Sequence, residues 1–152
     1  MKITARSEYG SRAMVELAVH WDRGLVSLHA VAERQRIPKK FLEQVVTQLR
    51  HAQLVEAFRG ASGGYRLSRP PSRISLLEIL EALEGHFSLM ECQTGPGEMC
   101  GFWGSCGLRD AWSAAEDSAR RVLGETTLET LAQRQLARER RPASFTTKPA
   151  SQ

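Results

Sequence analysis

The spacing of apolar residues divides the chain into six predicted helices and one hairpin. Apolar residues recur at steps of three and four over residues 7–21, 28–35 and 38–51, which predicts three amphipathic helices. Residues 54–59 alternate apolar with polar or small side chains, and residues 65–68 resume the pattern after a glycine-rich turn, which predicts a hairpin. Helical spacing returns from 76 to 84, from 108 to a break at Gly124, and after 127. Three helices followed by a hairpin are the layout of a winged helix-turn-helix.

Polar residues at the helix ends support this division. Ser7 and Ser27 are predicted N-caps because a serine hydroxyl can accept from the free amides of a first turn, and Ser75 is predicted to begin the fourth helix. Pro38 suits the first turn of the third helix, where no amide bond is lost. Gly85 ends the fourth helix.

The same pattern predicts the domain organisation. Residues 1–73 form the winged helix-turn-helix, and residues 74–107 form a connecting helix and a cysteine-bearing loop. Residues 108–137 supply a long helix and a short last helix, and residues 138–152 form a disordered tail. The long helix must bury its apolar stripe, and in a chain of 152 residues a second copy is the economical partner. The alternative is that it folds back on its own domain.

Charge separates the two halves of the chain. Residues 1–73 carry 13 Lys and Arg against 6 Asp and Glu, a balance of +7, whereas residues 74–137 carry 4 against 10, a balance of −6. A basic half beside an acidic half indicates that one end meets a polyanion. No apolar run is long enough to cross a membrane, and the N-terminus lacks a signal core, so a cytoplasmic protein is expected.

The third helix and the hairpin turn carry the residue types that read double-stranded DNA. Lys39 and Lys40 suit phosphates or guanine edges, Gln44 suits adenine, and Glu43 can accept from cytosine. Arg59 and the turn amides suit phosphates or a minor groove. The alternative is a solvated helix face and a plain hairpin. The predicted DNA contacts are Ser27, Lys39, Lys40, Phe41, Glu43, Gln44, Arg59, Gly60, Ser62, Gly63, Gly64 and Tyr65.

The three cysteines follow a spacing of Cys92-x7-Cys100-x5-Cys106. An odd count in a cytosolic context argues against a disulfide framework, and no Cys-x2-Cys knuckle of a common zinc site is present. Three thiolates on a glycine-rich loop can hold an iron–sulfur cluster. From the spacing alone, a cluster and a set of loose cysteines are equally favoured.

Several motifs together resemble one bacterial family of iron–sulfur winged-helix regulators, which includes IscR, NsrR and RirA. The matching marks are Met-Lys-Ile-Thr at the start, Phe-Leu-Glu-Gln in the third helix, Leu-Arg-x3-Leu-Val before the hairpin, Arg-Gly-x2-Gly-Gly-Tyr in the turn and Ile-Ser-Leu-Leu-Glu-Ile in the fourth helix. The resemblance implies a homodimeric transcriptional regulator with one cluster per subunit and a dimerisation helix after the cysteines. No small-molecule substrate and no catalytic role are expected.

The cysteine spacing is more similar to the RirA branch than to the other members. Where the IscR pattern has a histidine after the last cysteine, this chain has Arg109. The resemblance implies Cys92, Cys100 and Cys106 as ligands, and Glu8 of the partner subunit as a further ligand. For Glu8, an exposed first-turn glutamate is the equal alternative. Water, His86 or a small thiol are further alternatives for this ligand. A [4Fe–4S] cluster is favoured over [2Fe–2S], and repression is the expected outcome. A cluster-bearing redox enzyme or electron carrier, and a cluster-free or zinc-binding regulator, are the alternatives.

Overall fold

A computed structural model describes residues 3–89, 102 and 105–140 of the chain. Its six helices and two strands follow the predicted order, and two single turns of 3₁₀ helix cover Trp21–Arg23 and Pro71–Arg73. The main elements are α1 (Ala5–Val19), α2 (Leu28–Gln35), α3 (Lys39–His51), β1 (Val55–Phe58), β2 (Gly64–Leu67), α4 (Leu76–Glu84), α5 (Arg109–Glu125) and α6 (Leu128–Glu139). No helix among these described residues is both long and apolar enough to span a membrane.

The predicted cap at Ser27 and the predicted start of the fourth helix at Ser75 are confirmed. The Ser27 hydroxyl accepts from the Ala30 amide, and Ser75 forms a reciprocal capping box with Glu78. The prediction for Ser7 is wrong, because α1 begins one turn earlier at a cap formed by Thr4. Ser7 is instead fully buried, and its hydroxyl donates to the Glu84 carboxylate at the end of α4 at 2.7 Å.

One apolar core joins α1, α2, α3, α4, the hairpin and α6. Its fully buried large side chains are Met14, Val31, Leu42, Val45, Leu49, Leu67, Ile74, Ile79 and Leu128. The last helix packs on α1 through Leu128 and Ala132, while α5 packs on α4. The predicted division of the chain at residues 73 and 107 stays a prediction, and the packing adds that α6 shares the core of the N-terminal helices.

The hairpin is joined by one bridge to the extended link between α1 and α2. Strands β1 and β2 pair antiparallel, with Val55 opposite Leu67 and Phe58 opposite Gly64. Val26, in a link that the sequence predicts to be short and extended, forms a bridge to Tyr65 through two backbone hydrogen bonds of 2.9 and 2.8 Å. The link between α1 and α2 is therefore attached to β2 at this residue pair.

The predicted break between the last two helices is present, but it lies just after Gly124. Helix α5 continues through Gly124 to Glu125 and ends at Thr126, which is extended. Glycine inside a helix costs only about 1 kcal/mol relative to alanine, so it does not by itself stop one. The chain turns at Thr126 because the Thr126 carbonyl accepts from the Leu76 amide at 2.8 Å and the next residue bridges to Ser75.

Candidate functional site

Helix α3 divides sharply into a buried face and an exposed face. Its apolar residues Leu42, Val45, Val46 and Leu49 are all buried in the core. The residues predicted to read bases or phosphates lie on the opposite side and are exposed: Lys39, Lys40, Glu43 and Gln44. The apolar stripe is used within the chain, so the polar face is the surface that α3 presents to a partner.

A tight turn sets the angle between α2 and α3. Arg36 has a left-handed backbone, with φ of 52°, and the amide of buried Ile37 donates to the Ala32 carbonyl at 2.9 Å. Pro38 then occupies the N-cap position of α3. A non-glycine residue in the left-handed region is uncommon, and here it makes the sharp turn of a helix-turn-helix.

A buried glutamate holds α2 against α1. Glu16 is 3% exposed, and its two carboxylate oxygens accept from Arg34 at 2.9 Å and from Gln35 at 2.8 Å. The His20 ring lies beside this pair, with Nε2 2.8 Å from the Arg34 guanidinium. A buried carboxylate is tolerated only with such partners, so this network fixes the helix-turn-helix to α1.

Two residues predicted to contact DNA, Phe41 and Ser27, also make contacts that stabilise the fold. The ring of Phe41 is half-buried and packs edge-on against the ring of Tyr9, with centroids 5.5 Å apart. Ser27 is exposed, and its hydroxyl is engaged as the cap of α2. Their DNA contacts stay predictions.

In the wing, formed by β1, β2 and their turn, the two arginines differ in their contacts. The Arg66 guanidinium donates to Glu56 at 2.9 Å and lies over the Phe58 ring at 4.6 Å. Arg59 and Ser62 lie at the exposed turn, and Tyr65 is half-buried. Because Arg66 is held within the hairpin, Arg59 is the arginine available to a partner.

The three wing glycines are required for different reasons. Gly60 alone has the positive φ expected of this turn, at 111°. A Cβ at Gly63 would lie 2.3 Å from the Phe58 carbonyl oxygen, and one at Gly64 would lie 2.9 Å from the Val26 carbonyl oxygen. Close approach of backbone, rather than conformation, therefore excludes larger residues at Gly63 and Gly64.

Of the predicted cluster ligands, Cys92 and Cys100 lie outside the described residues. Cys106 is an exposed free thiol just before α5, and its carbonyl accepts from the Arg109 amide at 3.3 Å. Glu8 is on the first turn of α1 with 61% of its side chain exposed, 3.6 Å from the Arg12 guanidinium. In the part of the chain that the structure describes, no three potential ligand side chains come together at a metal site.

The start of the cysteine-bearing segment is tied to two helices through carboxylates. The buried Glu116 of α5 accepts from the Ser88 hydroxyl and the Leu89 amide, both at 2.9 Å. Glu81 of α4 accepts from the Phe87 amide and from Arg120. Burial acts to raise the pKa of Glu81, but these hydrogen bonds outweigh it, and the pKa lies below its ordinary value.

Sequence periodicity did not predict the hydrogen-bond networks of Glu16 and Glu84. Glu16 lies between the core residues Ala13 and Leu17 at helical spacing. A glutamate on the apolar face of α1 could therefore have indicated a buried ion pair. Glu84 carries no such signal, since its partners Thr4 and Ser7 are nearly 80 residues away in sequence.

The fold and this surface define a winged-helix DNA-binding protein: a buried helix-turn-helix presents a polar helix beside an arginine-bearing wing. The chain belongs to the Rrf2 family, described as iron-dependent transcriptional regulators, whose model matches residues 3–134. The protein is therefore a DNA-binding transcriptional regulator rather than an enzyme.

Individual relatives support the family assignment. The transcriptional regulator CymR of Bacillus subtilis is 37% identical over 134 residues, covering 87% of this chain and 90% of CymR. IscR of Cereibacter sphaeroides is 44% identical over 107 residues, covering 69% and 68% of the two chains.

Solved structures agree with the sequence relatives. The structure of CymR, named the global cysteine regulator of B. subtilis, matches with a TM-score of 0.75 at 35% identity over 88% of this chain and 98% of that one. The T. potens IscR structure matches with a TM-score of 0.74 at 30% identity over 95% of each chain. The predicted fold, a mainly helical winged helix-turn-helix with a small hairpin, is confirmed.

Proposed function

We propose that the protein is a homodimeric repressor whose binding to a near-palindromic operator is controlled by an iron–sulfur cluster. The main support for the proposal is the orientation of helix α5, which directs its large apolar residues to solvent. Its one buried residue is the glutamate Glu116, while the apolar residues Leu108, just before the helix, Trp112 and Val122 are 65%, 47% and 58% exposed. Cys106 lies immediately before this helix.

The exposed stripe supports dimerisation. Leu108, Trp112, Ala115, Ala119 and Val122 alternate steps of four and three, the spacing of an interhelical seam. Monomeric proteins rarely leave such a continuous apolar surface in water. A second copy of α5 covers the stripe symmetrically and presents two α3 helices to two half-sites.

The proposed ligands are side chains of the kinds that bind an iron–sulfur cluster. Cys92, Cys100 and Cys106 supply soft thiolates, and exposed Glu8 of the partner subunit supplies an oxygen in the dimer. Three thiolates and one oxygen favour a [4Fe–4S] cluster over [2Fe–2S]. When bound, such a cluster supplies iron–thiolate bonds that are sensitive to iron supply, oxygen and nitric oxide.

The hydrogen bonds around the cysteine segment support a link between that segment and the helices. Residues 87–89 are bonded to Glu81 of α4 and Glu116 of α5, and the other described end of the segment leads directly into α5. Ordering a loop costs roughly 1–2 kcal/mol per residue in backbone entropy, which ligand binding by the thiols offsets. Ligation therefore biases how α4 and α5 are held.

The DNA-reading residues complete the proposal. Lys39, Lys40, Glu43 and Gln44 enter the major groove, and Arg59 with the turn residues Gly60, Ser62, Gly63 and Gly64 follows the backbone or the minor groove. Ser27, Phe41 and Tyr65 are the remaining proposed DNA contacts. The exposure of the α3 polar face supports this assignment.

The decisive experiment combines iron and sulfide assays with operator binding by the anaerobically purified protein. A Cys100→Ala variant should lose iron and sulfide, and its affinity for a duplex selected by the wild-type protein should change by about 5- to 150-fold, the usual range of allosteric coupling. Ser105→Ala, an exposed neighbour in the same segment, is the matched control and should leave both properties unchanged.

Unchanged operator affinity and selectivity in Cys100→Ala would reject the switch. A second candidate, a cluster-free regulator that responds to a small thiol, is favoured by the similarity to a regulator named for cysteine. Protein that contains neither iron nor sulfide, and whose operator binding shifts with added cysteine, would support that candidate.

A further inference from the structure

An open groove of about 470 Å³ lies between the start of α1 and the polar face of α3. Five of its lining residues belong to α3, and the sixth comes from α1. The lining residues are Arg6, Lys40, Glu43, Gln44, Thr47 and Gln48. The residue from α1 was not among the DNA contacts predicted from the sequence.

Close packing of α1 and α3 places Arg6 in this groove. A Cβ at Gly10 would lie 3.1 Å from a Val45 methyl of α3 and 2.3 Å from a Leu83 methyl of α4, so α1 approaches both helices closely at this position. Residues four apart share a helix face, and Arg6 is one turn before Gly10. The short distance between the helices therefore sets the Arg6 side chain beside α3.

The first turn of α1 is held by α4. The Glu84 carboxylate accepts from the hydroxyls of Thr4 and Ser7. Burial acts to raise the pKa of Glu84, but these hydrogen bonds and the positive charge of Arg6 outweigh it, and the pKa is lowered. Arg6 itself is exposed and forms no ion pair with any carboxylate among the described residues. Its guanidinium therefore remains available to a ligand.

We propose that Arg6 binds a DNA phosphate at the edge of the major groove that α3 reads. A helix with its side chains is about 10–12 Å wide and fills the major groove, so the sugar–phosphate backbones run along its sides. A guanidinium beside the polar face of α3 meets one of these backbones and can donate two parallel hydrogen bonds to phosphate. In the same groove Glu43 repels phosphate, whereas Arg6 and Lys40 attract it.

A phosphate contact has a different signature from a base contact. It contributes affinity and fixes register, but carries no sequence information. Each phosphate neutralised contributes about 0.9 to the slope of log affinity against log salt. The inference rests on the DNA-binding role of the family and is independent of the cluster.

The test uses the full-length protein from one preparation and two duplexes of about 30 base pairs, long enough for two half-sites. One duplex is selected by the wild-type protein from a random pool, and the other has an unrelated sequence. In Arg6→Gln, affinity for both should fall by the same factor, roughly ten-fold at low salt, and the salt slope should decrease by about 0.9 per subunit. Arg6→Lys should retain most of the slope because the charge is kept.

Arg134→Gln is the matched control, since Arg134 is an exposed arginine on α6, which packs on α1 and on residues 71–73. It should leave the slope unchanged. An unchanged salt slope in Arg6→Gln would overturn the proposal, and so would a loss of affinity confined to the selected duplex. A lower melting temperature in Arg6→Gln, without recovery of slope and affinity in Arg6→Lys, would assign Arg6 a structural role and would equally overturn it.

Discussion

Helices α3 and α5 are both amphipathic, but they are oriented in opposite ways. In α3 the apolar stripe is buried in the core, and the charged face is exposed. In α5 the charged residues Glu116 and Arg120 face the rest of the chain, and Trp112 and Val122 are exposed. The same periodic signal in the sequence therefore has two different structural outcomes.

The difference indicates which kind of binding partner suits each helix. All apolar residues of α3 but the half-buried Phe41 are fully buried within the protomer, so its remaining surface is polar and suits a polyanion. The large apolar residues Leu108, Trp112 and Val122 are exposed in the described part of the chain, so this surface suits another apolar helix. Polar contacts to Glu116 hold α5 in place and leave the stripe free for that partner.

The largest expected effect comes from charging the α5 stripe. The double variant Trp112→Glu with Val122→Glu should be monomeric, and its operator affinity should fall by about 10²- to 10⁴-fold because two linked half-site contacts become one. Light scattering gives the mass, and fluorescence anisotropy with the selected duplex gives the affinity. Ala114→Glu, exposed on another side of α5, should remain dimeric. A dimeric double variant would show that α5 is not the interface.

A smaller effect is expected where α5 meets the cysteine segment. Glu116→Ala leaves the Leu89 amide and the Ser88 hydroxyl without their carboxylate acceptor, which should lower the free energy of unfolding by roughly 1–3 kcal/mol. Hydrogen exchange at the Leu89 amide should accelerate as well. Asp117→Ala, the exposed next residue, should stay within about 0.5 kcal/mol of the wild type. Equal destabilisation by both variants would show that the hydrogen bonds of Glu116 do not stabilise the fold.

The smallest effect is on acid stability. The pKa values of Glu81 and Glu84 are lowered in the folded protein, so the stability they contribute is complete above their ordinary value of 4.5 and is lost as pH falls through the lowered values. Urea unfolding between about pH 5 and pH 3 should therefore show a shallower loss of stability in Glu81→Gln than in the wild type. An identical pH slope in the two proteins would contradict this account.

Local signals predicted the parts of the fold that depend on near neighbours in sequence. Helices α2 and α4 begin at the predicted serines because a cap is satisfied within three residues. The exposed residues of the α3 face follow from its apolar spacing alone. Where a distant partner decided the outcome, the local signal failed: Ser7 bonds to Glu84 instead of capping, and α5 ends where Thr126 meets Leu76 rather than at Gly124.

The candidate site shows the same division. The positions of Lys39, Lys40, Gln44 and Arg59 were predictable, since a helix face and a hairpin turn are local features. The presence of Arg6 beside them was not, because it depends on how closely α1 approaches α3 at Gly10.

By itself, the sequence determined the order of elements, the polar face of α3, the glycine-rich wing and the existence of an apolar stripe on α5. Only the tertiary structure decided that the α5 stripe is exposed, that Glu16 and Glu84 join separate helices, and that α1 contributes to the surface of α3. It also decided that Glu116 joins α5 to residues 88–89. The physical reason is that periodicity records which side chains avoid water, whereas packing determines which neighbour covers them.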